Sequence, residues 1–176
     1  MKILKYIGIA LAGIIALLLV IALFIPKQYT VSVTETINKP QQEIFEYVKL
    51  VKNQEYYSVW VMSDLSSLSY AGVDGTVGCV QSWNSKDDNV GEGAQEITKI
   101  TPNRIDVDLR FKRPFESNQK AATLLKAISP IVTEVTSEFY GNDTYPLNLM
   151  SFVGKKIIKD AEVQNLKNLK KVLESK

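Results

Sequence analysis

Histidine is absent from this 176-residue chain, and cysteine occurs once, as Cys79. The first absence removes the commonest general base and the commonest metal ligand together. No Ser-His-Asp or Cys-His arrangement can be built, and zinc, copper or non-haem iron would lose their usual donors. The second excludes an internal disulfide and a cysteine-rich metal site. Cys79 itself reads as a small buried hydrophobe in a strand. A charge excess is missing too. The chain has 21 Lys and Arg against 19 Asp and Glu. Lys2 and Lys5 are the only charges before Pro26, so from there onward 19 bases face 19 acids. A neutral domain with mixed signs lacks the basic field that nucleic acid or anionic headgroups would require. No internal repeat or low-complexity segment is visible. No catalytic residue, metal ligand or cofactor motif is assigned.

One stretch lacks charge and strong polarity altogether. Ile7 to Ile25 reads IGIALAGIIALLLVIALFI. As a helix rising about 1.5 Å per residue it spans roughly 28 Å, close to the thickness of a bilayer core. A soluble core helix would keep a polar face, and this run has none. A signal peptide would have a shorter apolar run and a small-x-small cleavage site. The run is too long, and Ala22-Leu23-Phe24-Ile25-Pro26 offers no such site. A lipoprotein signal would need a cysteine there. The sequence therefore favours an uncleaved anchor over a cleaved signal. Lys2 and Lys5 before the run, against Lys27 after it, favour a cytoplasmic N-terminus and an extracytoplasmic remainder. Two units are expected: an anchor with a short tether at 1–28, and one domain at 29–176.

After Pro26-Lys27-Gln28 the pattern switches to period two, Tyr29-Thr30-Val31-Ser32-Val33-Thr34, as in a half-buried strand. Pro40 then opens a helix in which Ile44, Val48 and Val51 form the apolar stripe, with an end expected near Asn53. From Ser63 to Gly78 the chain is polar and punctuated by glycine, and Asp74-Gly75 is a hairpin-type turn. Five strand candidates follow: Val77–Asn84, Gly93–Thr101, Arg104–Lys112, Gln119–Ala127 and Ile131–Tyr140. Turn-forming clusters separate them, so a meander of hairpins is expected. The last segment is a long helix, with Met150, Val153, Ile157, Ala161, Leu166, Leu169 and Leu173 at three- and four-residue steps. The fold class is α+β, with an N-terminal transmembrane helix ahead of the domain. A curved antiparallel sheet must cover its apolar face, and a C-terminal helix of about seven turns is the obvious cover. A curved sheet gripping one helix often leaves a cavity between them.

In this order the residues resemble the START-like, helix-grip superfamily, and most closely its membrane-anchored bacterial branch labelled polyketide cyclase/dehydrase-like, or SRPBCC. The carriers are Phe24-Ile25-Pro26-Lys27-Gln28-Tyr29-Thr30-Val31 at the membrane exit, then Ile37-Asn38-Lys39-Pro40 leading to Ile44-Phe45-Glu46-Tyr47. Val90-Gly91-Glu92-Gly93 with Glu96-Ile97-Thr98 follow, then the run Arg104 to Glu116, and Tyr145-Pro146-Leu147-Asn148-Leu149-Met150 before the last helix. The branch is usually tryptophan-rich after its first helix. Here Asn53, Ser58 and Trp60 keep that outline, while Gln54 and Tyr57 stand where tryptophans are common. The resemblance implies a pocket for a hydrophobic or amphipathic molecule. It implies no activity.

Trp60, Tyr70, Trp83, Phe111 and Phe139 are the large groups able to line such a pocket, although for any one of them ordinary core packing is the favoured reading. Glu92, Glu96 and Arg110 are the polar pocket candidates, for acid–base work or for clamping an acidic head. Asp106 and Asp108 alternate with Ile105, Val107 and Leu109 and so are expected on the wet face. Gly91 and Gly93 open a strand and read as a bulge or hairpin bend. Asn142-Asp143-Thr144 fits a glycosylation pattern and also an ordinary turn. The leading expectation is a membrane-anchored, non-catalytic binding domain for a hydrophobic small molecule or lipid. One alternative is a cyclase- or dehydratase-type enzyme using Glu or Asp with Tyr or Arg on a polyketide-like or aromatic substrate. The other is a membrane-surface interaction or sensing module.

Overall fold

In the computed structural model, which describes residues 2–175, the apolar stretch forms helix α1 (Lys2–Phe24). Met1 and Lys176, the outer bounds expected for the two units, lie outside the described residues, as does the side chain of Lys2. The helix takes in Lys5 and Tyr6 and stops at Phe24, because Pro26 disfavours helical backbone at Ile25. Ile3–Phe24, with a mean hydropathy of 3.0, is long and apolar enough to cross a membrane, a property that a signal sequence shares. Its side chains are bare on nearly all sides; Ala22, 1% exposed, is the exception.

Strand β1 (Gln28–Ile37) starts four residues after α1 ends. Helix α2 (Gln41–Val48) follows, with Pro40 as its N-cap. It ends at Val48, short of the expected Asn53, and the chain continues as a 3₁₀ turn over Val51–Tyr56. Asp74 explains the break. Its carboxylate accepts the amides of Val51 at 2.7 Å and Lys52 at 3.4 Å, so a side chain caps the turn where a continuous helix would have used its own carbonyls. A short helix, α3 (Val59–Ser63), and a 3₁₀ turn at Leu65–Ser67 come next.

The sheet continues with β2 (Leu68–Ala71), β3 (Val80–Asn84), β4 (Glu92–Thr101), β5 (Arg104–Arg113), β6 (Ser117–Ser129) and β7 (Val132–Asn142). The five expected strands are present with ends shifted by up to three residues, and β2 lies inside the segment read as polar loop. β2 to β7 form an antiparallel meander, and β1 joins its far edge against β7. Register shifts at Glu92/Gly93, Ile97/Lys99 and Ala127/Ser129 bend the sheet. At the first of these, Gly91 has φ +68°, and a Cβ there would lie 2.3 Å from the carbonyl oxygen of Arg113. Only glycine fits. Cys79 is buried one residue ahead of β3.

A 3₁₀ turn at Leu147–Met150 leads into helix α4 (Ser151–Glu174). The stripe expected to bury along its whole length divides in two. Leu166, Leu169 and Leu173 are buried against Ile37, Ile44, Ile97 and Val135. Met150, Val153 and Ile157 are each at least half exposed. The curved sheet meets the C-terminal half of α4 and falls away from the N-terminal half.

Asn148, in the turn before α4, ties the domain to α1. It is fully buried, and its amide donates to the carbonyl oxygens of Ala22 at 2.7 Å and Ile25 at 2.9 Å. Those carbonyls belong to the last turn of α1 and its exit, which have no helical partner of their own. The Tyr145 hydroxyl donates to Leu19 O at 3.4 Å. The polar end of the apolar helix is thus capped by side chains more than a hundred residues away.

Candidate ligand cavity

Where the sheet leaves the N-terminal half of α4, a cavity of about 430 Å³ opens between them. That is within the range typical of small-molecule sites. Period-two alternation builds its floor. Ile105, Val107, Leu109 and Phe111 all face it from β5, as their spacing requires. Phe139 of β7 and Ala121 of β6 continue the floor, and Gly154, Ile157 and Ile158 of α4 form the roof. Trp60 and Trp83 stand in the wall, with the Trp83 ring edge-on to Phe111 at 5.7 Å between centroids. Of the lining residues, Trp60, Asn89, Pro114 and Ile157 are also exposed, and they mark the mouth. They come from α3, the β3–β4 loop, the β5–β6 loop and the start of α4. All lie at the end of the sheet where α1 enters β1 and where Asn148 grips α1.

The aromatic candidates therefore divide four to one. Trp60, Trp83, Phe111 and Phe139 border the cavity. Tyr70 does not. Its hydroxyl donates to Glu55 Oε1 at 2.6 Å and accepts from Gln81 Nε2 at 3.0 Å. Burial first, then that bond to Glu55, pushes Tyr70 up to about 12.

The polar candidates sit elsewhere. Arg110 Nη2 lies 2.6 Å from Glu96, Lys112 Nζ lies 3.0 Å from Glu92, and Arg113 approaches the other oxygen of Glu92 at 3.4 Å. Asp106 pairs with Arg104, and Asp108 with Lys120. Arg104 and Asp106 pair within β5 and the others pair across strands; Arg113 also borders the cavity. Glu92, Glu96 and Arg110 are absent from the cavity wall, and the reason is parity. Arg110 alternates with Leu109 and Phe111, and Glu96 alternates with Gln95 and Ile97, all of which face inward. Hydrogen bonds from Lys112 and Arg113 hold the Glu92 carboxyl below the ordinary glutamate value.

Other polar groups line the cavity. At one side Gln95 donates to Gln54 at 2.7 Å and to Gln81, and Gln81 donates to Tyr70. Gln81 and Gln95 are direct cross-strand partners and are buried. Their bonds close among themselves. On the roof stand Glu162 and Asn165. Ser137 Oγ donates to Glu162 Oε2 at 2.7 Å, and Asn165 Oδ1 accepts the Val59 amide at 2.8 Å. Burial pushes Glu162 above the ordinary glutamate value, against the lowering effect of bonds from Ser137 and Asn165. Tyr57 borders the same space, and burial, then the charge of Glu162, raises its hydroxyl well above the tyrosine value. A local signal for Glu162 exists in the sequence. Ile158, Glu162, Asn165 and Leu169 lie at helical spacing on one face, so the acid interrupts an apolar stripe. Gln54 and Tyr57, the two departures from the tryptophan-rich outline, both line the cavity.

Among the described residues no cluster of His, Cys, Asp and Glu could hold a metal ion. No family model and no curated protein sequence matches the chain. Solved structures do. Ara h 8.0201 is similar over 85% of this chain and 99% of its own, with 14% identity and a TM-score of 0.62. Protein MLL2253 from Mesorhizobium loti is similar over 84% and 98%, with 16% identity and a TM-score of 0.61. DynU16, a protein of the dynemicin biosynthetic locus, is similar over 82% of this chain and 47% of its own, with 16% identity and a TM-score of 0.58. The chain shares the helix-grip fold with these proteins.

Proposed function

We propose that this chain is a membrane-tethered binding domain for a hydrophobic small molecule or lipid, of the membrane-anchored SRPBCC type. Residues 1–28 serve as anchor and tether, residues 29–176 as the binding domain, and the domain faces the extracytoplasmic side. The carrying observation is the largely apolar cavity of about 430 Å³, with its mouth at the end where α1 departs. Occupancy removes apolar ligand surface from water, worth about 25 cal/mol per Å² before ordering costs. Apolar side chains also surround the mouth: Phe152, Val153, Ile157 and Phe115 are each at least half exposed. In water they would be an unfavourable surface, whereas beside a bilayer they offer an apolar ligand a path from acyl chains to cavity.

Purifying the full chain from membranes into lipid nanodiscs and extracting it for mass spectrometry tests this. A co-purifying apolar molecule is expected, and it should be lost in Leu109→Trp, which fills the floor. Retention of the same molecule by that variant would sink the reading. Protease protection in intact cells tests orientation.

A second reading, an acid–base enzyme on an aromatic or polyketide-like substrate, draws on Glu162 and Tyr57 facing one cavity. It predicts chemical change in the bound molecule that Glu162→Gln abolishes without loss of binding.

A further inference from the structure

Polar groups converge on one side of the cavity, and one of them bonds nothing among the described residues. Glu162 receives the Ser137 hydroxyl at 2.7 Å and a bond from Asn165. The Asn165 oxygen is already taken by the Val59 amide. The Tyr57 hydroxyl borders the same space, near enough to Glu162 to feel its charge, and bonds no group among the described residues. The glutamine cluster across the cavity differs in this respect, because its donors and acceptors satisfy one another.

Tyr57 is half-buried and borders the cavity, where polar groups facing an apolar space ordinarily take a partner. A tyrosine hydroxyl without a bond among the described residues, lining the same cavity of molecular size as a carboxyl, is half of a recognition site. Resting on the binding reading above, we infer that the cavity selects an apolar ligand bearing a neutral hydroxyl, which donates to Glu162 and accepts from Tyr57. The chemistry of the alternatives separates them. A carbonyl or ether oxygen accepts from Tyr57 but has nothing to give a carboxylate. An ammonium donates to Glu162 but leaves Tyr57 unpaired and adds a second desolvated charge. A hydroxyl does both. No lysine or arginine is among the groups acting on Glu162. Leu109, Phe111, Ile157 and Ile158 are left for the apolar remainder.

The test uses the full chain in lipid nanodiscs, with protein-free discs as reference, and three probes sharing one ring system in equilibrium dialysis: 2-naphthol, 2-methoxynaphthalene and naphthalene. 2-Naphthol is expected to bind about tenfold tighter than naphthalene, the effect of one to two net hydrogen bonds. 2-Methoxynaphthalene, which accepts but cannot donate, should fall between. Tyr57→Phe should cut the 2-naphthol advantage, leave naphthalene binding unchanged and not lower the unfolding temperature, because no protein bond is lost. Glu162→Leu should remove the rest. Should that variant not fold, the Tyr57→Phe comparison decides alone. Equal binding of 2-naphthol and naphthalene to the wild type, or an advantage untouched by Tyr57→Phe, overturns the inference while leaving the cavity a binding site. Failure of all three probes to bind overturns the binding reading and the inference with it.

Discussion

Glu162 owes its behaviour to the space it faces. It lies on a lysine-rich helix among other acids, and on the wet side it would be an ordinary surface carboxylate. The folded chain holds its proton more tightly than the unfolded chain does, because burial raises its folded-state pKa. Its charge therefore costs folded-state stability as pH rises from the ordinary value of about 4.5 toward the raised one, and the cost vanishes below both. Glu162→Gln has no proton to lose in this window. Its unfolding temperature relative to wild type should climb between pH 4 and pH 8, and a difference that stays constant with pH would contradict the assignment. Gly91 shows a different constraint. Gly91→Ala would combine positive φ with a backbone overlap, a change expected to cost about 1–3 kcal/mol in denaturant unfolding.

Among the elements, α4 is the one whose two halves obey different rules. Leu169 is 1% exposed and packed in the core, so Leu169→Ala should lose about 2–5 kcal/mol. Ile157 occupies the same apolar stripe but is 50% exposed at the mouth, so Ile157→Ala should lose less than about 1 kcal/mol while weakening ligand binding. Chemical denaturation of the two variants side by side reads the contrast directly. Periodicity could not distinguish these leucine and isoleucine positions, because a helical stripe records which residues share a face and not how far away the opposing surface lies. β5 was the converse case. Ile105, Val107, Leu109 and Phe111 against Asp106, Asp108 and Arg110 state parity, and parity alone separates floor from outer face. Arg110 was read as a pocket candidate, yet the same rule puts it on the outer face, opposite Leu109 and Phe111. β2 was illegible for another reason. It is four residues long, at the sheet's edge, and only Leu68 and Tyr70 turn inward, so a polar, glycine-rich context outweighed them.

For the whole molecule, the exit of α1, the mouth and the strand ends lie at one end of the sheet. The order strand, helix, meander, helix was readable because each step carries its own turn chemistry. The polar interior was not, because Gln54, Tyr57, Gln81, Gln95 and Glu162 meet only once the sheet has curved. The clasp between Asn148 and the last carbonyls of α1 was equally hidden, since its partners are 126 and 123 residues apart in sequence. That clasp makes α4 a beam resting on two piers. One pier is the leucine-packed end at Leu166–Leu173, and the other is the Asn148 turn held by α1. Between them the span over the cavity meets the sheet through polar side chains, Lys155 over the Tyr29 ring and Glu162 on Ser137, rather than through packed leucines. Amide hydrogen exchange in the full chain should therefore be fastest at mid-span, around residues 153–161, and slow when the cavity fills. Cutting the chain at Pro26 knocks out one pier. Exchange should then quicken across the span and leave Leu169 and Leu173 protected, so a fragment starting at Pro26 would present a slacker cavity than the full chain does.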